Sequence, residues 1–265
     1  MRLFKIFFAI VLLIALLPAQ GKSAEYQLKA VTSIFAPLQM KQGDRLKGYT
    51  VEIVQEVFKE MRASGLDIHT SIRSLPWKRA MRQAESEPNT IFFSLSRTPQ
   101  REEKFEWLAE ISPYQVYLFK LKSNKLPEVT SLLDIKKLDI KVAVQIASNM
   151  VPVLENSGFI EGQDYITYQH YTNGIPMLFH GRFDLMPLTG FVARTNTCKL
   201  GLNGDEIEPY LPVDAISKPL WVVMSKGSSP VLIEAFKNHF IHLQETGFVK
   251  ATQERYLADW AQQPC

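Results

Sequence analysis

Residues 90–105, TIFFSLSRTPQREEKF, place a strand-forming run directly before a helix start. The run TIFFSLS is apolar and predicts a strand. Thr98-Pro99 is typical of a helix N-terminus, because Thr can cap the first free amides and Pro fits the first helical position. Arg97 and Arg101 flank this start, although the positive end of a helix dipole disfavours cations. The stretch therefore predicts a strand-to-helix turn whose two arginines need an explanation.

The same alternation of strand-like and helix-like patterns continues on both sides of this turn. Residues 48–65, GYTVEIVQEVFKEMRASG, place Val54, Val57 and Met61 on one helical face and end on Gly65. Further helices are predicted within 76–85, 148–158, 175–181 and 229–247, and strands within 28–34, 66–72, 114–122, 141–146, 165–171, 183–189 and 219–227. Strands that alternate with helices predict an α/β fold whose sheets are mixed, mostly parallel and flanked by helices.

Two strand-like stretches, 114–122 and 219–226, bracket a self-contained α/β block. They predict two lobes joined by two crossing hinge strands: lobe one is formed by 22–118 plus 222–265, and lobe two by 119–221. The cleft between such lobes is the natural ligand site, because strand ends and helix N-termini converge there.

The N-terminus has the order of regions found in a secretory signal peptide. A basic start, MRLFK, precedes an apolar run and then small residues, so we expect residues 1–21 to be removed, with the cut after Gly21. Cleavage after Ala24 and uncleaved anchoring in the membrane are the alternatives. The expected location is therefore the periplasm, reached through export.

Composition limits the classes of function. The formal net charge of +3 falls to +1 when Arg2 and Lys5 leave with the signal peptide, and no Lys/Arg-rich run indicates nucleic acid. The only two cysteines, Cys198 and Cys265, would survive export, and an oxidising compartment favours a structural disulfide between them.

Motifs for chemistry are lacking. No Gly-rich phosphate loop, G-x-S-x-G elbow or C-x-x-C pair occurs. His239 and His242 share a helical face, but no third metal ligand is evident nearby, so a solvated surface is favoured over a zinc site. We predict no catalytic residue, no cofactor and no metal.

Candidate binding residues lie where predicted strands meet helices. The junctions TSIFAP, SLPWKRA, SLSRTPQR and VQIASN combine hydroxyls, aromatics and cations. Hydroxyls and free amides at helix starts favour an anion, and the planar fork of an arginine suits a carboxylate. Phe35 and Trp77 either line such a site or pack in a core. Arg101 either binds a ligand carboxylate or pairs with Glu102 or Glu103.

These motifs, in order, resemble the family 3 bacterial extracellular solute-binding proteins, the periplasmic class typified by polar amino-acid receptors of ABC transporters. The similarity covers nearly the whole mature chain. Its segments are LKAVTSIFAPLQ, GYTVEIVQEVF, SLSRTPQREEKFEW, KVAVQIASN and LFHGRFDLMPLTG. The resemblance implies a type 2 periplasmic-binding fold and a monomeric protein that closes on a small ligand for a permease or a sensor.

The resemblance also implies roles for individual residues. Arg101 matches the arginine that grips a ligand carboxylate, and Ser94 and Ser96 match lobe-one positions that bond the ligand. On lobe two, Ser148 matches the helix start that meets the same carboxylate on closure, and Thr189 is expected to join it. Phe35 matches an aromatic that covers the ligand, Trp77 belongs to a P-W-x-R-A variant, and Arg97 either adds a second cation or faces solvent.

Two departures from the family pattern affect the ligand. Ser33 and Thr189 stand where amino-acid receptors usually have the aspartates that hold the ammonium group. Ile146-Ala147 stands in the turn where the family favours glycine. A buried ammonium without a carboxylate partner is costly, so the sequence favours a carboxylate-bearing ligand other than a typical polar amino acid.

Two rival functions remain open at this point. One is a dehydratase-like enzyme on the same fold, which would need an acid or base such as Glu52, Glu110 or His170. The other is an interaction module that binds no small molecule.

Overall fold

A computed structural model describes residues 25–265; the predicted signal peptide, 1–21, lies outside the described residues. The strands are β1 (Tyr26–Thr32), β2 (Met40–Gln42), β3 (Arg45–Lys47), β4 (Ile68–Ser74), β5 (Thr90–Ser96), β6 (Phe105–Ser112), β7 (Val116–Leu121), β8 (Val142–Gln145), β9 (Tyr165–Tyr168), β10 (Met186–Thr189), β11 (Ile207–Pro212) and β12 (Leu220–Ser225). The helices are α1 (Tyr49–Ala63), α2 (Trp77–Ser86), α3 (Pro99–Glu102), α4 (Leu132–Lys137), α5 (Met150–Asn156), α6 (Tyr171–Phe179), α7 (Gly190–Cys198), α8 (Pro230–Glu245) and α9 (Phe248–Ala261).

Lobe one is built on a five-stranded sheet in the order β4-β1-β5-β12-β6. Alternate side chains of its strands face opposite sides, so Leu28 packs with α1, α8 and α9 while Val31 packs with α2. The apolar face of α1, including Val57 and Met61, is fully buried against this sheet, as its periodicity predicts. Helices thus cover both faces of the sheet.

Lobe two contains a three-stranded sheet, β10-β7-β11, and a two-stranded one, β8-β9. It has hydrophobic clusters of its own. One surrounds Ile135, Val144 and Leu154, and the other surrounds Tyr168 and Leu178. The molecule is therefore a two-lobed α/β protein with separate cores, and the predicted lobe boundaries stay a proposal.

Both lobes have mixed sheets flanked by helices, as predicted, but antiparallel strand pairs outnumber the parallel ones. β1 pairs in parallel with β4 and β5, and β8 with β9. β12, β6, β7, β10 and β11 pair antiparallel, so both lobes have mixed pairing. The physical reason is the return of the chain between lobes, since β12 re-enters the sheet of lobe one beside β5 from the opposite end.

Residues 113–115 connect β6 with β7, and residues 213–219 connect β11 with β12, so both segments join the five-stranded sheet to the three-stranded one. Ser217 ties these segments together: its Oγ accepts hydrogen bonds from the amide of Val116 at 3.0 Å and from Gln115 Nε2 at 2.9 Å. Hydrogen bonds thus hold the two connecting segments of the hinge side by side. None of the helices in the part of the chain described here is long and apolar enough to cross a membrane.

The loop after β1 is held against the start of α1. Gly48, at the N-cap of α1, has φ 130°, and a Cβ there would lie 2.1 Å from the carbonyl oxygen of Leu38. The Thr50 hydroxyl donates to that same oxygen at 2.8 Å. Phe35 and Gln39 exchange backbone hydrogen bonds of 2.8 and 3.0 Å, which close the loop and fix Phe35 at the edge of lobe one.

The predicted disulfide between Cys198 and Cys265 is present. Cys198 is the last residue of α7 in lobe two, and Cys265 ends the tail that follows α9. Helix α9 packs on lobe one through Val249 and Tyr256. The bond therefore joins the tail to the end of a helix, where a loop was expected, and it connects the two lobes.

Candidate functional site

The C-terminal end of β5 has an unusual backbone at Ser94. Its φ of 66° lies in the left-handed region, which a non-glycine residue seldom adopts. In the pairing with β12, Trp221 faces Leu95 and Val222 faces Phe93, so Ser94 bulges out of the register. Its buried hydroxyl donates to Gln39 Oε1 at 2.9 Å. Backbone strain of this kind is concentrated at functional sites.

Arg101 lies next to this strand end, in the four-residue helix α3. Its Nη1 donates to the carbonyl oxygen of Ser96 at 2.9 Å, and its guanidinium lies 5.6 Å from the centre of the Trp77 ring. Among the described residues, no carboxylate lies within 4.0 Å of it. Partial burial lowers the pKa of the guanidinium from its usual value. The predicted alternative, pairing with Glu102 or Glu103, is wrong, and most of the donors of this cation are unused.

The start of helix α3 differs from the prediction in two respects. Thr98 is the N-cap of α3 but makes no side-chain capping bond. Because α3 is a single turn, Arg101 lies in its last turn as well as its first, and the dipole argument against a cation loses its force.

Arg97 makes a hydrogen bond and aromatic contacts with other residues of the protein. Its Nε donates to Glu102 Oε2 at 2.8 Å, and its guanidinium lies 5.0 Å from the ring centre of Trp107 and 4.8 Å from that of Trp221. The hydrogen bonding of Arg97 to Glu102, with Arg97 as the donor, raises the pKa of Arg97 and lowers the pKa of Glu102. Arg97 is therefore an exposed cation that pairs with Glu102, which fits the solvent-facing alternative better than a second free cation beside Arg101.

The two aromatic candidates have different surroundings. Trp77 is 41% exposed, and its ring meets Phe92 edge-on at a centroid distance of 5.2 Å. Phe35 is half-buried and packs on Tyr114 at 6.2 Å and on Phe191 of α7 at 5.7 Å. Phe35 thus contacts both the hinge and lobe two, whereas Trp77 keeps an open face beside Arg101.

On the side of lobe two, a cavity of about 320 Å³ opens beside the hinge. Its lining consists of aromatic and aliphatic residues with neutral polar ones between them: Tyr114, Val116, Gln145, Ser148, Asn149, Met150, Tyr168, Tyr171, Pro187, Leu188, Thr189, Val192, Asn196 and Ile216. None of these lining residues carries a charge. The arrangement is suited to an apolar body with hydrogen-bonding groups.

Ser148 and Thr189 both line this cavity. The Oγ of Ser148 is buried and has no hydrogen-bond partner in the described part of the chain, an arrangement that costs free energy unless a ligand supplies a partner. Thr189 is the N-cap of α7 but makes no capping bond with its side chain, so its hydroxyl is also available. Ala147, in the turn before Ser148, has φ 56°, the conformation that explains the preference for glycine in such turns.

Tyr168 forms one wall of the cavity. A Cβ at Gly174 of α6 would lie 2.8 Å from Tyr168 Cζ, so only a glycine lets the ring lie flat on the helix. Burial raises the pKa of the Tyr168 phenol well above its usual value, which keeps the phenol neutral.

The structure thus forms two groups from the predicted site residues. Arg101, Trp77, Ser94 and Ser96 gather at the end of β5, and Ser148 and Thr189 line the cavity. Phe35 lies nearer the second group, because it packs on Tyr114, which lines the cavity. Sequence reasoning missed the tyrosines Tyr114, Tyr168 and Tyr171. The signal was present in YITYQHY, where aromatic residues follow a strand end.

The acids and bases considered for catalysis do not converge. Glu52 accepts from Arg255 Nη2 at 2.6 Å and from the Tyr256 hydroxyl at 3.0 Å. Glu110 lies in a separate groove behind the hinge, and His170 caps α6 by accepting from Thr172. Within residues 25–265, no group of three His, Cys, Asp or Glu side chains is placed to hold a metal ion.

Comparison with known structures gives many related folds at low identity. The structure reported for glutathione import via GshT and the cystine ABC importer TcyBC of Streptococcus mutans is 18% identical, with a TM-score of 0.66, over 89% of this chain and 96% of that one. The probable amino-acid ABC transporter binding protein ytmK from Bacillus subtilis is 16% identical, with a TM-score of 0.71, over 89% and 99%. A histidine kinase sensor domain with similarity to periplasmic binding proteins is 16% identical, with a TM-score of 0.64, over 88% and 96%. These likenesses establish a shared fold.

A search of curated proteins gives no significant sequence match. The family model described as bacterial extracellular solute-binding proteins, family 3, matches residues 28–259. That range spans both lobes, the hinge and the candidate site. The chain belongs to the family 3 bacterial extracellular solute-binding proteins.

Proposed function

We propose that this protein captures a small, carboxylate-bearing ligand between its two lobes in the periplasm and delivers it to an ABC transporter or a membrane sensor. The observation that carries the proposal is Arg101, a partly buried guanidinium that has no carboxylate partner within residues 25–265 and lies over the ring of the exposed Trp77. A ligand carboxylate would supply the missing charge and accept two parallel hydrogen bonds.

The ligand would dock first on lobe one. Arg101 would hold its carboxylate, while the strained backbone at Ser94 and the hydroxyl of Ser96 would offer further bonds. Closure would then bring in Ser148, whose buried hydroxyl lacks a partner, and Thr189. Binding energy gained only in the closed form drives such a population shift.

The uncharged lining of the cavity limits the rest of the ligand. A charged group that leaves water for neutral side chains has a large desolvation cost. Ser33 and Thr189 likewise offer hydroxyls rather than carboxylates. We therefore favour a carboxylate whose body is uncharged and partly apolar over a polar amino acid with a free ammonium group.

The proposed location and partners depend on the N-terminus and on the relatives. Residues 1–21 have the pattern of an export signal. One structural relative belongs to an ABC import system and another is a sensor domain of a histidine kinase, so both kinds of membrane partner are compatible with this fold. We propose that the protein works as a monomer and binds its ligand without chemical turnover.

Native mass spectrometry of the protein purified from its host tests the proposal directly, because a co-purified ligand would be weighed in the complex. The ligand so identified should raise the melting temperature of the wild-type protein. The protein should release this ligand with its mass unchanged. A new product mass after incubation would favour the dehydratase-like alternative.

Substitution of the two arginines then tests the site. Arg101→Ala should abolish the ligand-induced rise in melting temperature while the ligand-free protein stays folded. Arg97→Ala is the matched control, because it removes a neighbouring guanidinium that is already paired with Glu102. Full binding by the Arg101 variant would refute the assigned role.

A further inference from the structure

Helix α7 presents two different faces to its surroundings. Val192 and Asn196, one helical turn apart, line the cavity together with Thr189. Phe191, Arg194 and Cys198 lie on another face of the helix, which is turned toward lobe one. The helix therefore forms a wall of the cavity and also an interlobe contact.

The face toward lobe one is held at three points. At the N-terminal end, Phe191 packs on Phe35 with ring centres 5.7 Å apart. In the middle, Arg194 Nη1 donates to the backbone oxygen of Gln263 at 2.6 Å, and its Nε donates to Asp205 Oδ1 at 2.7 Å. At the C-terminal end, Cys198 is bonded to Cys265.

A further contact closes the same interface just beyond the helix. Lys199 Nζ lies 5.7 Å from the ring centre of Trp260, a buried residue in the last turn of α9. The tail after α9 is therefore fixed on lobe two, although α9 itself packs in the core of lobe one.

We propose that the bonded C-terminal tail is a third connection between the lobes, which limits how far they separate and keeps α7 in place as a wall of the ligand cavity. The two hinge segments alone would allow lobe two to swing away from lobe one. A covalent link at Cys265 removes the open conformations in which α7 is far from α9. Opening then proceeds with α7 retained near lobe one.

The limit on opening has a consequence for ligand exchange. Conformations that the tether excludes cannot admit or release a ligand, so the oxidised protein samples a narrower set of open states. The tether restricts the motion of the lobes in the same way whether or not the ligand is a carboxylate.

The experiment compares ligand-free wild-type protein with a Cys198→Ser/Cys265→Ser double variant. The radius of gyration from small-angle X-ray scattering should be larger for the variant. Amide hydrogen exchange should rise about tenfold or more in α7 and in the tail, and much less in the sheet of lobe one. Unchanged dimensions together with unchanged protection of α7 would overturn the proposal, as would an equal rise of exchange in both lobes.

A second variant retains the disulfide. Insertion of Gly-Ser-Gly-Ser after Gln262 lengthens the tether without removing a core side chain, and it should produce the same expansion in part. The matched control is the same insertion after Gly43, in the hairpin loop between β2 and β3, which should leave the dimensions unchanged. Failure of the tail insertion to expand the protein would also contradict the role of the tether.

Discussion

At the scale of single residues, a substitution of Ser148 tests whether a hydroxyl in the ligand-free site lacks a hydrogen bond. Its buried Oγ has no hydrogen-bond partner among residues 25–265, and a buried hydroxyl without a hydrogen bond costs about 1–3 kcal/mol. Ser148→Ala should therefore raise the free energy of unfolding of the ligand-free protein by about 1 kcal/mol, while ligand-induced stabilisation falls. Chemical denaturation in urea measures both effects.

The same substitution at another serine is the control for this prediction. Ser131 caps α4 by accepting a hydrogen bond from the amide of Asp134 at 3.2 Å. Ser131→Ala should destabilise the protein by about 1 kcal/mol, because a helix cap is lost. A loss of stability in the Ser148 variant as large as that in the Ser131 variant would contradict the prediction.

The candidate site was only partly predictable from the sequence, and the two arginines show why. Both stand beside the same Thr-Pro pair, so local pattern alone could not separate them. Their difference arises from Trp107 and Trp221, which meet around Arg97 because β6 and β12 are neighbours in the sheet. Such pairing depends on register between distant strands, which periodicity does not encode.

At the scale of elements, the loop before β9 has a pH-dependent contribution to stability. Asp164 accepts a hydrogen bond from the amide of Ile160 at 2.8 Å, and Lys136 Nζ lies 3.4 Å away. The backbone hydrogen bond is the main cause that lowers the pKa of Asp164, and Lys136 acts in the same direction. Its stabilising effect is fully present above the unfolded value, roughly 3.9 for Asp, and is lost as the pH falls through the lower folded value.

Asp164→Asn should therefore destabilise the protein at neutral pH. The difference in melting temperature between the variant and the wild type should narrow as the pH falls below about 4. Thermal unfolding between neutral and acid pH measures the gap. Asp259→Asn, at an exposed position of α9, is the control and should show no such convergence. A gap that stays constant with pH would show that the carboxylate charge of Asp164 does not matter.

Elements with a strong periodic pattern were predicted well, and those without one were missed. Helices α1 and α8 lie within the ranges expected from their apolar spacing. Helix α9 was missed because only three of its 14 residues are buried, namely Val249, Thr252 and Trp260. The hairpin β2-β3 was also missed, since its three-residue strands are too short to show alternation.

At the scale of the whole molecule, the separate cores predict that the lobes respond separately to mutation. Ile91 is fully buried in the core of lobe one, and Ile135 is fully buried in a core of lobe two. An Ile→Val change at a buried site costs about 0.5–1.5 kcal/mol. Each variant should therefore speed amide exchange mainly within its own lobe, because the free energy of local opening depends on the packing in that lobe.

This pair of variants makes the same chemical change at two equally buried sites, so each is the control of the other. Hydrogen exchange followed by mass spectrometry assigns the loss of protection to one lobe or the other. We expect α7 to be the exception, because its contacts with Phe35 and with the tail connect it to both cores. An equal rise of exchange in both lobes for either variant would mean that the molecule opens as one cooperative unit, and the lobes would then not be independent in the ligand-free state.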